Sequence, residues 1–348
     1  MIKKILISIF LFSTICLNAQ DAHFSQFFAN PIYLNPALTG AFNGTFRVNT
    51  IYRDQWRNAL DDPFSTYALS GDAKLNFGKN RYKSDDYFAA GLIFLGDRYG
   101  TYDFNTNVFA FSGAFHKSLG DRQFLSIGAQ MGINQKNVSY ENLVFNDQFD
   151  GLNSFGGSTS EILPPNNFGF FDLGLGINYA ITFNSNTSVY AGASILHLNQ
   201  PNTSFFNQTD VDQPPFETDF TLNSRINGYL AAAFSIGENV FLTPKVLYSV
   251  QGEYNEIVLG SGIKMQIPDS PSYIHFAAWG RGVQDFDQFN FSDVIVMTGI
   301  QLNSFIVGLS YDIGVSGLGA NNFYKSSFEL SLSLIGNYDS DDNICPEF

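Results

Sequence analysis

The chain has 348 residues, a length that suits one large barrel as well as two ordinary domains. Aromatic residues make up 16% of it and charged residues only 14%, whereas about 25% charged residues is usual in soluble globular domains. The formal net charge of -14 excludes nucleic acid as a partner, because a phosphate backbone requires a basic surface and acidic residues outnumber basic ones by 32 to 18. We therefore expect much of the surface to face something other than water.

The beginning of the chain predicts export from the cytoplasm. Residues 1–20 start with the basic pair Lys3 and Lys4, continue as an apolar run over 5–17 and place the small residue Ala19 near the expected cleavage point. This is the layout of a secretory signal peptide, and the apolar run is shorter than the roughly 20 residues of a membrane-spanning helix. We expect residues 1–20 to be removed.

The rest of the chain repeatedly alternates apolar and polar residues. The pattern is clearest over 125–134 (LSIGAQMGIN), 171–183 (FDLGLGINYAITF), 305–313 (FIVGLSYDI) and 328–336 (FELSLSLIG). Because successive side chains of a strand point to opposite faces, each segment has one apolar face and one polar, glycine-rich face. A half-buried strand of a soluble β-sandwich would alternate in the same way, so that fold remains the alternative.

Segment length and aromatic placement favour a membrane barrel over the soluble sandwich. Many segments are about ten to fourteen residues long, which exceeds the usual five or six and suits a tilted crossing of a bilayer. Aromatic residues gather near segment ends, for example Phe171, Phe183 and Trp56, where an interfacial girdle would lie. The predicted fold is an all-β transmembrane antiparallel outer-membrane β-barrel over residues 44–336.

About fourteen segments are predicted as strands, an even number as single-chain bacterial barrels require. They are 44–57, 64–77, 87–97, 104–118, 122–136, 168–183, 187–198, 224–237, 239–251, 254–268, 272–283, 291–302, 304–314 and 325–336. Two connections are long, at 137–167 and 199–223, and we predict that both are extracellular loops, because tight turns belong on the periplasmic side.

The first predicted strand has a charged inner face. Arg47, Arg53 and Arg57 share that face with Asn49 and Gln55, opposite an apolar face that ends at Trp56. The second strand presents Asp72 on its polar face, so that part of this charge is matched across the pair. We predict a lumen network of Arg47, Arg53, Arg57 and Asp72 that fixes the barrel, with an anion path or a seat for a plug as the alternatives.

No pattern in the chain predicts an enzyme. The four histidines are scattered without metal-ligand spacing, and the chain has no HExxH, CxxC, GxSxG or Walker-type motif. We therefore expect no catalytic residue, no metal site and no cofactor.

The segment 21–43 precedes the first strand and contains the stretch HFSQFFANPIYLNPALTG. Its prolines fix their own φ and bias the residues before them towards extended backbone, so we predict a stiff, helix-incompatible apolar strip in the periplasm or inside the barrel. We predict that this strip is a docking or plug segment. Its predicted partner-binding or plug residues are His23, Phe24, Ser25, Gln26, Phe27, Asn30, Pro31, Asn35 and Pro36.

These residues, together with two later groups, also resemble a known family. The groups are His23-Phe24-Ser25-Gln26-Phe27, Asn30-Pro31, Leu34-Asn35-Pro36-Ala37 before Gly40, Tyr52-Arg53-Asp54-Gln55-Trp56 and Pro63-Phe64-Ser65-Thr66. In combination they are similar to the PorP/SprF family of the type IX secretion system in Bacteroidota, and the resemblance runs from the signal peptide to Phe348. It implies an outer-membrane barrel, in contact with outer-membrane lipid, that serves protein export or gliding motility.

The resemblance leaves the partner open. Some members of that family associate with the periplasmic ring and peptidoglycan-linked components, whereas others are paired with a large secreted adhesin, which they help to export or hold at the surface. We expect a non-enzymatic adaptor that binds the C-terminal domain of a secreted adhesin. A passive outer-membrane channel for small solutes and a structural anchor of the periplasmic secretion ring remain the alternatives.

The last residues, 337–348, follow the final strand and carry Asp339, Asp341 and Asp342. We predict a periplasmic tail in which these carboxylates are solvated. Cys345 is the one cysteine that remains after removal of the signal, so no internal disulfide is expected.

Overall fold

The computed structural model describes residues 21–75, 86–100, 103–141, 143–152, 154–161, 163–184, 187–205, 220–285, 288–315 and 325–337. The predicted signal peptide at 1–20 and the predicted tail beyond residue 337 lie outside the described residues. Within the described ranges, no helix is long and apolar enough to cross a membrane.

The described residues form fourteen strands that close into one antiparallel barrel. Each strand pairs with its neighbours in sequence, and β1 pairs with β14 to close the ring. The predicted fold class is confirmed, and the predicted strand bounds differ from the observed ones by a few residues. The strands are β1 Phe46–Gln55, β2 Phe64–Leu75, β3 Tyr87–Tyr99, β4 Phe104–Gly120, β5 Gln123–Asn137, β6 Asn167–Asn184, β7 Thr187–Leu196, β8 Arg225–Ser235, β9 Val240–Gln251, β10 Tyr254–Gln266, β11 Tyr273–Asp285, β12 Gln288–Leu302, β13 Phe305–Gly314 and β14 Ser326–Gly336.

The alternation in sequence becomes an outer and an inner face. In β1, Val48 and Tyr52 are exposed on the outside, whereas Asn49 and Arg53 are buried on the inside. The outer face of the other strands is likewise rich in exposed aliphatic and aromatic side chains, such as Phe109. Exposure of these apolar groups to water is unfavourable, whereas contact with the hydrocarbon of a bilayer is not. Such a surface is therefore suited to contact with lipid.

The two ends of the barrel differ. Because consecutive strands run in opposite directions, the connections that follow odd-numbered strands all lie at one end, which we call the loop end. The long connections between β5 and β6 and between β7 and β8 lie there. The opposite end, the turn end, carries short turns such as 121–122 and 303–304, and the chain enters β1 and leaves β14 at this end.

The structure corrects the predicted position of Arg57. The strand β1 ends at Gln55, and Trp56 has a φ of 64°, which breaks the alternation of faces. Arg57 therefore lies beyond the strand with a side chain that is 69% exposed, and its guanidinium pairs with the carboxylate of Asp54 rather than with groups of the lumen. The prediction that Arg57 belongs to a lumen network is wrong.

The segment 21–43, which we call the leader, lies inside the barrel and is not one extended strip. It forms a 3-10 turn at Phe27–Ala29, the short helix α1 at Pro31–Leu34 and a second 3-10 turn at Pro36–Leu38. The prediction of a helix-incompatible leader is wrong, because proline is favourable at the first position of a helix, where its missing N–H would be unpaired anyway. The residue before Pro36, Asn35, is extended as expected.

Candidate functional site

The candidate site is the packing of the leader against the inner wall. Ser25, Gln26, Asn35 and Thr39 of the leader are fully buried. The leader begins at the loop end, where Asp21 contacts His197 just after β7, and it descends to the turn end, where Gly40 contacts Asp72 before β1 begins. It thus crosses the lumen along the barrel axis.

An ion cluster holds the first residue of the leader. The Oδ2 atom of Asp21 lies 2.6 Å from Nε2 of His197, and Nδ1 of His197 lies 2.9 Å from Oδ2 of Asp172. Burial by itself would lower the pKa of His197, but the carboxylates of Asp21 and Asp172 raise this pKa to about 10. The imidazolium therefore bridges leader and wall at neutral pH.

The backbone of the next residues is captured by one carboxylate. Glu329 of β14 accepts the backbone N–H of Ser25 at 2.6 Å and that of Gln26 at 2.8 Å. Its side chain is completely buried and also pairs with the guanidinium of Arg53. A buried carboxylate that accepts this many donors fixes the leader in both position and direction.

The hydroxyl of Ser25 joins this carboxylate to a larger charge network. It donates to Oδ2 of Asp312 at 2.6 Å and accepts from Nη1 of Arg53 at 2.8 Å and from Nη2 of Arg281 at 2.6 Å. Arg281 also bonds Oε1 of Glu256 at 3.0 Å. Three strands, β1, β11 and β13, therefore meet at one side-chain oxygen of the leader, and Arg281 links β10 to them through Glu256.

The side chain of Gln26 uses the same region of the wall. Its Nε2 donates to the hydroxyl of Ser310 at 3.1 Å, and its Oε1 accepts from the hydroxyl of Ser331 at 2.7 Å. Both ends of the amide are satisfied, so Ser25 and Gln26 together form the most densely bonded part of the leader.

Apolar side chains of the leader fill the lumen below these bonds. Phe27, Leu34 and Leu38 pack in one buried cluster with wall residues that include Val258 and Trp279. Ile32 packs on the other side against Ile93 and Ala110 of the wall. The lumen therefore has the composition of a protein core rather than that of an aqueous pore.

Glycines of the wall make room for the second Asn-Pro pair. Asn35 donates to the backbone carbonyl of Ile177 at 3.0 Å, beside Gly176 of β6. A Cβ atom at Gly176 would overlap the side chain of Asn35, and a Cβ atom at Gly128 of β5 would overlap the backbone of Pro36 and Ala37. The leader touches the wall too closely for any other residue at these two positions.

The lower part of the leader is fixed by a second ion pair. Arg47 and Asp72 form a bidentate pair with distances of 3.0 and 2.7 Å, and Asp72 also accepts the backbone N–H of Gly40 at 2.7 Å. Arg47 further donates to the carbonyl of Leu38. His116 lies with its Nε2 2.7 Å from the carbonyl oxygen of Thr39.

The structure thus brings most of the predicted site residues together where the leader packs against the wall. Phe24 is buried against the wall with Ile51 and Leu95, and Pro31 and Pro36 are buried within the leader's turns. His23 lines a cavity at the loop end, and no hydrogen bond of the buried Asn30 side chain is found among the described residues. Of the predicted lumen residues, Arg47, Arg53 and Asp72 contact the leader.

Several wall residues of the site were not predicted from the sequence. Charged residues on or beside the polar faces of strands with few charges are the signal that could have identified them. They are Glu256, Arg281, Asp312 and Glu329, with Asp172, His197 and Arg225 at the loop end.

A cavity of about 820 Å³ lies above the leader at the loop end. Its floor includes Ala22 and Tyr33 of the leader, and its wall includes Trp56, Phe170 and Lys136 near the upper ends of the strands. Across the described parts of the chain, no group of three or more His, Cys, Asp or Glu side chains is arranged to hold a metal ion.

Several solved structures have a similar fold. The barrel is similar to a mutant of the TodX monoaromatic hydrocarbon channel, with 10% identity, a TM-score of 0.52 and coverage of 89% of this chain and 94% of that one. It is equally similar to a FadL homologue from Pseudomonas aeruginosa, with 10% identity, a TM-score of 0.52 and coverage of 88% and 94%. At this identity the likeness concerns the fold alone. A comparison with curated proteins finds no match.

A protein-family comparison is more specific. The model described as type IX secretion system membrane protein PorP/SprF matches residues 17–334, which include the leader and nearly all of the barrel. The barrel fold and this match place the protein in the outer membrane. The chain belongs to the PorP/SprF family of type IX secretion system membrane proteins.

Proposed function

We propose that this protein is a non-enzymatic outer-membrane adaptor that supports the export and surface anchoring of a secreted partner, a large adhesin, by binding its C-terminal domain. The observation that carries the proposal is the leader packed across the lumen, because a barrel filled in this way is suited to anchoring rather than to conduction. Family membership supplies the secretion context.

The energetics of the leader support an adaptor. Six of its apolar side chains are buried, and each contributes roughly 1.5–3 kcal/mol of transfer free energy before entropic costs. They are Phe24, Phe27, Ile32, Leu34, Leu38 and Phe42. Expelling the leader to open a conduit would also break the hydrogen bonds that Ser25 and Gln26 donate to Glu329 and Asp312.

The two ends of the barrel offer different partners. The loop end, with its long connections and cavity, is the proposed docking side for the secreted adhesin. The turn end is the side on which a periplasmic ring or peptidoglycan-linked component would bind. The apolar outer face contacts outer-membrane lipid.

The first test is purification of the tagged protein from native outer membranes in mild detergent, with identification of the co-purifying chains by mass spectrometry. We expect a large secreted protein, retained through its C-terminal domain, or components of the periplasmic ring. A variant that lacks residues 21–40 should still insert as a barrel but should lose surface display of the partner. Normal display in that variant would refute the role of the leader in docking.

A passive channel for small solutes is the second candidate, and the fold similarity to a monoaromatic hydrocarbon channel is the observation that favours it. It predicts stable conductance of the purified protein in planar bilayers. The adaptor predicts that the same preparation is silent or nearly so.

A further inference from the structure

The cavity at the loop end has the chemistry of a binding site. Its volume of about 820 Å³ is within the range of ligand-binding cavities in proteins. The aromatic rings of Trp56, Tyr99, Phe104 and Phe170 line it, and the leader closes it below at Ala22 and Tyr33. The cavity is therefore a dead end that is reached from the loop end.

No carboxylate contacts one cation on its wall within the described structure, and Asp21 of the leader attracts it only from a longer distance. Lys136 of β5 lines the cavity and is only 8% exposed. Among the described residues, its Nζ has no hydrogen bond or carboxylate partner, and the contact it makes is with the ring of Phe170, 5.9 Å from its centroid. A buried ammonium without a carboxylate in contact is costly, so this position favours an anionic group from a ligand.

Acceptors beside Lys136 favour a ligand that also carries N–H groups. Asn134 and Gln130 lie on the same inner face of β5 as Lys136, further from the loop end, and both line the cavity. Among the described residues, no donor bonds Oε1 of Gln130 or Oδ1 of Asn134. Asp97 of β3 pairs across the sheet with Thr106 of β4, which in turn pairs with Lys136 of β5. Two strand spacings therefore separate Asp97 from Lys136, a distance of about 10 Å. A hydrocarbon chain offers these acceptors nothing, whereas a peptide backbone offers one donor per residue.

We propose that this cavity binds the C-terminal end of a polypeptide, with the terminal carboxylate on Lys136 and the apolar side chains of the preceding residues among the aromatic rings. A dead-end cavity admits a chain end, whereas a continuing chain would have to enter and leave through the same opening. This inference rests on the proposed function, in which the secreted partner binds through its C-terminal domain.

The test uses the full mature protein in detergent micelles and two synthetic hexapeptides of serine, valine and phenylalanine, one with a free C-terminal carboxylate and one amidated. Trp56 lines the cavity and reports binding by fluorescence, with Trp56→Phe to identify the source of the signal. We expect the carboxylate form to bind at least about tenfold more tightly than the amide, as expected for loss of a charge-assisted contact. Equal binding of both forms, or no binding of the carboxylate form, would overturn the proposal.

Variants separate a role of Lys136 from a folding effect. In Lys136→Met the preference for the carboxylate form should disappear, whereas Lys136→Arg should keep it, and Lys117→Met, at an exposed ion pair with Asp86, should leave it unchanged. A preference that survives in Lys136→Met would sink the proposal. Decanoate has a carboxylate and an apolar chain but no peptide backbone. If decanoate displaced the peptide as effectively as unlabelled peptide does, the proposal would also be refuted.

Failure of this inference and failure of the proposed function give different results. Carboxylate-dependent peptide binding without any co-purifying secreted protein would sink the adaptor and leave the cavity assignment standing. A secreted partner that co-purifies equally well with Lys136→Met would support the adaptor but exclude this cavity as its docking point.

Discussion

At the scale of single residues, Ser25 is the most consequential position of the leader. Its hydroxyl bonds one carboxylate and two guanidinium groups, all of them buried. In Ser25→Ala these groups lose a shared partner, at a cost of about 1–3 kcal/mol for unsatisfied buried polar groups. We therefore expect a protease added to the purified protein to cleave the leader faster in this variant. Mass spectrometry of the released peptide measures the rate of cleavage.

A serine at the turn between β8 and β9 provides the control for this variant. Ser235 is partly exposed, and among the described residues its side chain bonds only the nearby carbonyl of Gly237, so Ser235→Ala should leave protection of the leader unchanged. Equal cleavage of both variants and the unmodified protein would contradict the assigned role of Ser25.

The cluster of Asp21, His197 and Asp172 predicts a pH dependence at the start of the leader. The pKa of His197 is raised from 6.5 to about 10, so its contribution is complete below pH 6.5 and is lost as the pH rises through about 10. Burial would raise the pKa of Asp21, but His197 and Arg225 lower it from 3.8 to about 2, so this contribution is complete above pH 3.8 and is lost on acidification through about 2. Attachment should be strongest between these limits, near pH 4 to 6.5.

Amide hydrogen exchange of residues near Asp21, followed by mass spectrometry, measures this dependence after correction for the intrinsic effect of pH. In the unmodified protein, protection of these amides should fall between pH 7 and pH 10. In His197→Gln, their protection should be low at every pH in this range. The same decline in both proteins would show that another group is responsible.

At the scale of elements, the contact between the leader and the strands β5 and β6 depends on the absence of side chains at two wall positions. A leucine at Gly176 has no space while Asn35 is in place. Gly176→Leu should therefore displace the second 3-10 turn of the leader and increase its cleavage by protease, whereas the barrel keeps its strands. Circular dichroism and protease mapping measure these two results.

The matched control is Gly228→Leu in β8, where an added Cβ atom meets nothing within 4 Å. This variant should resemble the unmodified protein in both measurements. If Gly176→Leu also leaves the leader protected, the close contact between leader and wall is not needed for docking.

The strands could be predicted from the sequence, whereas the course of the leader could not. Alternation of apolar and polar residues is a local property, so strands such as β5 were assigned to within one residue at each end. The contacts of the leader join residues that are far apart in the chain, as between Gln26 and Glu329, and no local pattern encodes them. Arg57 was misplaced because the alternation was extended through Trp56, where the positive φ ends it.

At the scale of the whole molecule, the leader is the core of the barrel. A chain that lacks residues 21–43 retains the ring of strands but loses the packing inside it, and buried groups such as Arg53 and Glu329 become solvated by water. We expect a lower temperature of thermal unfolding than that of the complete protein and a stable conductance in planar bilayers. Bilayer recordings at matched protein amounts provide the comparison.

A silent bilayer with the shortened chain would indicate that something besides the leader blocks the lumen. Conductance of the complete protein at the same level as the shortened one would contradict a closed lumen and favour the passive channel.

The hydrogen bond between Gln26 and Glu329 also constrains the order in which the barrel assembles. The two residues are 303 positions apart, so the leader must wait for the last strand before it can take its place. Loop-closure entropy opposes such a contact until the intervening strands are already paired. The final steps of assembly, in which β14 meets β1 and the leader meets β14, are therefore coupled, and a chain arrested before its last strand would carry an unfolded leader.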